Sequence, residues 1–283
     1  MTLLVVNIRS LDPSASPLDY YGSELRRLRE EAGLNQQQLG DTVFCTASLI
    51  GQIETAKKVP TREFSERLDA ALMTGGLFSR LVGLVLKSQL PTWFQQYAEM
   101  EAKAAYISTY QAQLVYGLLQ TEEYARAVLG VDHPDRLDEM VAARMERQRI
   151  LEREHPPVMC VVLDEASLHL EIGGQAVMRK QLRRLLSYTD RPWVHVQVLP
   201  FSAGQHAGMM GSFTLLRFEH DPDLFYAESY DAGHITANPH VMRERSVGYA
   251  RLQATALSRE DSAALIARVM EERYGHQPGP AVA

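Results

Sequence analysis

The sequence predicts an α+β protein. It comprises an N-terminal all-helical unit of five helices, followed by a C-terminal domain of helices packed on a small, mainly antiparallel sheet. Three observations lead there. Residues 20–88 repeat helical apolar spacing. Pro91 follows a short polar step and marks a boundary. After Pro156-Pro157 come VMCVVL, VHVQVLP, SFTLLRF and LFYAESY, short β-rich runs bounded by Gly, Pro and Asp. A chain of 283 residues has room for two domains of ordinary size.

Taken in order, LDPSASP closes a flexible lead-in, residues 1–19. Gly22 to Ala32 is rich in helix formers, places Leu25 and Leu28 on one face and stops at Gly33. Asn35 begins a second helix, with Gln38 completing a capping box. Thr46 caps a third, running to about Glu54. Thr61 starts a fourth, with Phe64, Leu68 and Leu72 inward, and Gly75-Gly76 separates it from an apolar fifth. This unit spans 20–88. The C-terminal domain spans 92–274, with helices expected over Trp93 to Ala105, Thr121 to Leu129 and Arg136 to Glu154. An amphipathic helix, Ala176 to Tyr188, lies between the first two strands, and Asp164-Glu165 caps a short helix before it. The strands that follow have short connections, which favours an antiparallel meander over repeated crossover units. Ser258 and Asp261 cap a last helix carrying Leu265, Ile266, Val269 and Met270, and 275–283 is a frayed tail.

Composition narrows the class. The apolar runs Met1 to Ile8 and Leu77 to Leu90 are too short or too charged to cross a bilayer, so no membrane partner is expected. No secretory signal is read at the N-terminus. Cys45 and Cys160 match neither a disulfide framework nor a metal pattern, which fits a reducing cytoplasm. The formal net charge of −6 opposes a nucleic-acid partner only if spread evenly. From Tyr20 to Arg62 it is not: Arg26, Arg27, Arg29, Lys57, Lys58 and Arg62 roughly balance Glu24, Glu30, Glu31, Asp41 and Glu54.

The stretch QQQLGDTVFCTASLIGQIET, Gln36 to Thr55, has the spacing of two short helices crossing at a tight corner. Leu39, Val43, Cys45, Ile50 and Ile53 take the inner positions and Gly40 the crossing, while Gln37, Asp41, Thr42, Ser48 and Gln52 face outward. An ordinary core hairpin of helices is the plainer alternative. LNQQQLGDTVFCTASLIGQIETAKKVPT resembles the xenobiotic-response-element (Cro/lambda-repressor-like) helix-turn-helix family. That resemblance implies a second helix lying in the major groove of double-stranded DNA. It places Thr46, Ala47, Ser48, Leu49 and Gln52 toward the bases, Gln36 and Gln37 at the start of the preceding helix, with Gln36 on a phosphate, and Lys57 and Lys58 on phosphates. It also implies an Arg29 to Glu54 ion pair locking the first helix to the third. Three positions depart from the family pattern. Phe44 stands where the corner glycine is usual, so the corner is expected to be strained or reshaped by one residue. Ala56 replaces another glycine, and Gly40 replaces an alanine.

A second resemblance covers the remainder. WFQQYAEMEAKAAYISTYQAQLVYGLLQTEEYARAVL, RMERQRIL, LDEASL and VHVQVLPFSAGQHAGMMGSFTLLRF are similar to the C-terminal domain of a large actinobacterial regulator family, abundant in streptomycetes and often described as antitoxin-like. It implies a transcriptional regulator, with a small neighbouring-gene protein or a small-molecule effector as partner of that domain. A homodimer on a palindromic operator is expected, since one reading helix makes few base contacts. The alternative is an antitoxin-like protein that neutralises a small partner, with DNA binding as secondary autoregulation.

A remoter alternative is a hydrolase with a helical targeting module. His195, His206 and His220 with Asp164, Glu165 and Glu228 match no zinc template, and SAGQHAGMMG lacks the lysine of a phosphate-binding loop. No catalytic residue, metal or cofactor is therefore expected. Tyr110, Tyr116, Leu118, Leu119 and Tyr124 read as core from which a groove for a peptide or small ligand is within reach.

Overall fold

The computed structural model describes residues 11–132, 134–229 and 232–275. The chain separates into two compact units between Leu90 and Pro91, and together they make an α+β protein.

The first unit contains α1 (Pro17–Glu31), α2 (Gln36–Thr42), α3 (Ala47–Glu54), α4 (Arg62–Leu72) and α5 (Leu77–Ser88). Its helix starts are set by side chains. Ser16, Asn35, Thr46 and Thr61 each accept a hydrogen bond from a first-turn amide, and Asn35 with Gln38 completes the capping box. The lead-in expected to run to residue 19 is therefore shorter, because Ser16 with Pro17 behind it already starts α1; residues 1–10 lie outside the described residues. Tyr21, Leu25, Leu39, Ile50, Leu68, Phe78 and Val82 are wholly buried and form the centre.

α5 solves its N-terminus differently. Gly76 precedes it and offers no side chain. Asp69, on α4, reaches across instead. It accepts from the amides of Phe78 and Ser79, both at 2.8 Å, and from the hydroxyls of Ser79 and Thr74. One carboxylate thus satisfies donors that the start of α5 leaves open and pins α5 to α4.

The second unit is built on a six-stranded sheet. In chain order it contains α6 (Thr92–Glu101), β1 (Tyr106–Gln111), α7 (Glu122–Leu129), α8 (Leu137–Arg147), β2 (Val158–Asp164), α9 (Ala166–His169), α10 (Gln175–Leu186), β3 (Val194–Leu199), β4 (Phe213–Arg217), β5 (Leu224–Glu228), β6 (Gly233–Thr236), α11 (Pro239–Thr255) and α12 (Arg259–Tyr274). The strand order is β3-β2-β1-β4-β5-β6. The antiparallel meander expected of the strands after β2 is limited to β4 and β5, extended by β6, and β4 pairs antiparallel with β1. β1, β2 and β3 are mutually parallel, so the chain makes two crossovers, through α7 and α8 and then through α9 and α10. Alternation along β5 sorts the faces: Phe225 and Ala227 join the core beneath α11 with Met242, Tyr249 and Leu252, while Tyr226 turns the other way and stacks on Tyr97 of α6.

Two strands and one helix were not in the sequence pattern. β1, YISTYQ, lies near the middle of the sheet yet carries Ser108 and Thr109; Thr109 is buried because its hydroxyl meets Thr214 at 2.8 Å and the Phe213 carbonyl at 3.0 Å. β6 is a four-residue edge, and α11 buries only Met242, Tyr249 and Leu252, too sparse a stripe to stand out. The long helix expected from Arg136 to Glu154 is also interrupted: α8 ends at Arg147 and tightens into a 3-10 turn over Gln148–Glu152. Gln148 accounts for the break, as its amide nitrogen donates to the Gly117 and Gln120 carbonyls, both at 2.8 Å, and its oxygen accepts from Arg184. Of the expected tail, everything after Gly275 lies outside the described residues.

Asp69 yields a pH-dependent prediction. Burial raises its carboxyl, but the four hydrogen bonds outweigh that and hold it below the usual carboxylate range. A depressed folded-state value contributes stability above the unfolded value, and the contribution is lost as pH falls through the folded one. Asp69→Asn should therefore cost about 1–2 kcal/mol at neutral pH and remove part of the acid destabilisation below about pH 4. Amide exchange in α5, followed against pH in both proteins, checks it.

Candidate nucleic-acid interface

α2 and α3 meet at a corner whose geometry is imposed by backbone contact. A Cβ on Gly40 would lie 2.7 Å from the Cys45 carbonyl oxygen, so the crossing leaves no room for a methyl. The Cys45 amide closes the turn on the Gly40 carbonyl at 2.8 Å. Between them Phe44 sits at φ 58°, in the left-handed region, with 83% of its surface exposed. The corner is thus not reshaped: Phe44 takes the glycine's conformation and its ring points to solvent. Ala56, where the second glycine was expected, is likewise left-handed at φ 53°. There the Lys57 amide bonds the Gln52 carbonyl at 2.8 Å and ends α3.

α3 divides cleanly into two faces. Ile50 and Ile53 are buried against Leu39 and Val43, which hold the helix from behind. Ser48 and Gln52, one turn apart, are exposed on the outer side and touch each other at 3.3 Å. Thr46 is exposed and its hydroxyl oxygen caps α3 at the Leu49 amide, while Ala47 and Leu49 are half-buried at the edge of the outer face. Gln37 is exposed and donates to Asp41 at 2.7 Å. Lys57 is exposed, with no carboxylate within 4 Å among the described residues, and Lys58 beside it is half-buried.

Gln36 makes a contact within the unit that the sequence did not announce. Its amide nitrogen donates to Glu54 at 2.8 Å, and its end group lies against Gly51, so the side chain is turned into the molecule. The acceptor explains why. Glu54 is fully buried and takes a two-pronged contact from Arg29, Nε to Oε1 at 2.5 Å and Nη2 to Oε2 at 3.1 Å. Arg29 also donates to the Leu34 carbonyl at 2.8 Å, and Arg26 approaches Glu54 at 3.8 Å. These hydrogen bonds hold the Arg29 guanidinium above its ordinary value despite burial. α1, the loop before α2, the start of α2 and the end of α3 thus converge on one carboxylate. The resemblance supplied the Arg29–Glu54 pair; nothing in the sequence marked Gln36 as its third member.

In the second unit the histidines considered for chemistry are dispersed. His206 lies 3.8 Å from Asp164, which is held by the Tyr110 hydroxyl at 3.0 Å and caps α9 through the Ala166 amide. His220 is exposed and its nearest carboxylate is Glu219, and His195 sits on β3, where burial lowers its basicity. Among the described residues no group of three His, Cys, Asp or Glu side chains is arranged to hold a metal. Among them, too, no helix is long and apolar enough to cross a membrane.

Residues 21–77 match the family model described as a helix-turn-helix domain, and residues 94–268 match the one described as a domain of unknown function (DUF5753). The second match covers more than half of the chain, and the protein belongs to that family. Comparison with curated proteins and with solved structures returns no match. The N-terminal unit is therefore a helix-turn-helix domain of the DNA-binding kind.

Two stability changes follow from this geometry. Phe44→Gly removes a left-handed phenylalanine without losing buried surface and should stabilise α2 and α3 by about 1 kcal/mol. Arg29→Ala strands a buried carboxylate and should cost about 3 kcal/mol or more, whereas the double change to Met at 29 and Leu at 54 recovers most of it. Denaturant unfolding with amide exchange in α3 as the local readout measures both, and equal losses in the single and double variants would contradict the pair's role.

Proposed function

We propose that this member of the family is a sequence-specific transcriptional regulator of the Cro/lambda-repressor-like type that reads an operator with α3. The observation carrying the proposal is the two-faced character of that helix. Ser48 and Gln52 stand free on a face with nothing packed over it in their own unit, and the opposite face is fixed by four buried aliphatic side chains and by the Glu54 cluster. On this reading the Gln52 amide pairs bidentately with an adenine, Ser48 hydrogen-bonds a neighbouring base, and Ala47 and Leu49 touch thymine methyls. Thr46 and Gln37 border the contact, and Lys57 and Lys58 neutralise phosphates.

One helix of eight residues reaches only a few base pairs. The reading therefore includes a homodimer on a palindromic operator with half-sites about 34 Å apart. It also assigns the C-terminal unit the regulatory part. An effector or small partner bound there acts by favouring one spacing of the two readers over another. A second reading makes neutralisation of a small protein partner the main duty of that unit. It draws on Met209 and Met210, exposed between Gly208 and Gly211, since flexible apolar side chains of this kind suit protein-binding surfaces.

The test is selection of bound duplexes from a random library by the full chain, followed by binding assays at several salt concentrations. A palindromic consensus is expected. Gln52→Ala should cost about 1–3 kcal/mol on the consensus and little on random duplex, and Lys57→Ala should weaken all duplexes alike and flatten the salt slope by about one. Equal losses for Gln52→Ala on both duplexes would remove α3 from its assigned place.

A further inference from the structure

On the face of the sheet turned away from α11, a cavity of about 220 Å³ lies under α6, the 115–120 segment and α8. It has room for several waters or one small organic molecule. One wall is aromatic: Tyr97 and Tyr226 stack with centroids 3.8 Å apart, and Phe94 packs on both. Ser212 and Thr214, from β4 and the residue before it, complete the lining.

The charges in this cavity are unequal in their pairing. Arg147 is neutralised. Its Nε meets Glu101 at 2.5 Å, and Glu101, fully buried, also accepts from the hydroxyls of Tyr97, at 2.9 Å, and Tyr116. Arg144, one turn earlier on α8, is not. Its one hydrogen bond among the described residues is from Nη1 to the neutral Gln120 amide oxygen, at 2.7 Å, and no carboxylate lies within 4 Å of it there. Burial first, then Arg147, pushes its guanidinium down to about 10, which still leaves it charged at neutral pH. The acid on the lining, Glu228, is exposed to solvent and accepts from Tyr226 at 2.6 Å; it and Glu101 offset the Arg144 charge only in part, from beyond ion-pair distance. Arg144 is half-buried, and the part of its planar fork that Gln120 leaves open matches a carboxylate. One cation with no ion pair beside an aromatic wall suits a monoanion with an apolar body; among the described residues of the lining a phosphate dianion would find no second such cation.

We propose that this cavity binds a small organic monocarboxylate, its carboxylate on Arg144 and its apolar body against Phe94, Tyr97 and Tyr226. The proposal rests on the reading of the C-terminal unit as the regulatory part and names the chemistry of its ligand. The test is calorimetric titration of the full chain with benzoate, phenylacetate and 4-methylpentanoate, each beside its carboxamide. At least one acid is expected to bind and no amide. Arg144→Gln, which keeps a donor for Gln120 and loses the charge, should weaken binding about tenfold or more. Val128→Phe, which leaves Arg144 in place and narrows the cavity, should also abolish it; circular dichroism of each apo variant establishes folding. Absence of binding by every acid up to roughly 10 mM, equal binding of amides, or unchanged affinity in Arg144→Gln would overturn the proposal. So would binding of a short peptide through its free C-terminus when no free acid binds, which would assign the site to a chain end. Repeating the operator assay with the bound acid separates the two claims: unchanged DNA affinity leaves the site standing and removes its regulatory role.

Discussion

The carboxylate of Glu54 is the constraint on which the N-terminal unit turns. α3 has eight residues, too few for a helix to persist by its own hydrogen bonds, and its tertiary packing must hold it. The aliphatic side chains behind it supply burial, but burial is non-directional and leaves a short helix free to roll. Arg29 and Gln36 remove that freedom, because hydrogen bonds to a carboxylate with no access to water are satisfied in only one orientation. The same contacts account for Gln36 being drawn inward. A buried charge with an unfilled lone pair costs more than a phosphate contact at the surface returns.

The C-terminal unit repeats this device with a different result. Glu101 gathers Tyr97, Tyr116 and Arg147 as Glu54 gathers Arg29 and Gln36, tying α6, the segment after β1 and α8 together. Since Glu101 spends its acceptors on Arg147 and the two tyrosines, Arg144 is left with an amide oxygen. The packing of the unit thus creates both the cavity and the charge in it. Neither needs a separate origin.

Much of the helical unit was legible because its information is local. Asn35 with Gln38, Thr46 and Thr61 act on amides two or three residues away, so their positions in the sequence are their positions in the structure. The left-handed sites at Phe44 and Ala56 were legible only as departures from a pattern in which glycine is expected, and the backbone kept the conformation although the residue changed. The C-terminal unit was harder to read for a physical reason. β1 carries buried threonine whose partner is Thr214, a hundred residues on, and a strand completed from so far away has no apolar alternation of its own. The crossovers that make β1, β2 and β3 parallel are likewise settled by the sheet as a whole. Tyr110, Tyr116 and Tyr124 read as core from the sequence, and Tyr116 does border a cavity, yet nothing in the sequence singles out Glu101 or Arg144. Their meaning depends on which acid ends beside which base.

The placement of charge also bears on how such a chain would regulate DNA binding. Arg27 is engaged by Glu24 and Glu31, Arg29 by Glu54 and Arg67 by Glu63, so most arginines near the reading helix are already committed within the unit. A reader with few phosphate contacts gains little affinity per copy, and the proposed dimer then supplies most of it by making the second contact intramolecular. Under that condition a ligand has no need to touch α3. A hundredfold preference for one arrangement of the two readers, roughly 3 kcal/mol, is enough to release or secure the operator. A single carboxylate moving from water onto an arginine that holds no ion pair is an interaction of that order. On the proposed reading the weakness of each reader and the strength of one charged contact are matched, so that a small anion bound in one unit would suffice to change operator occupancy by the other.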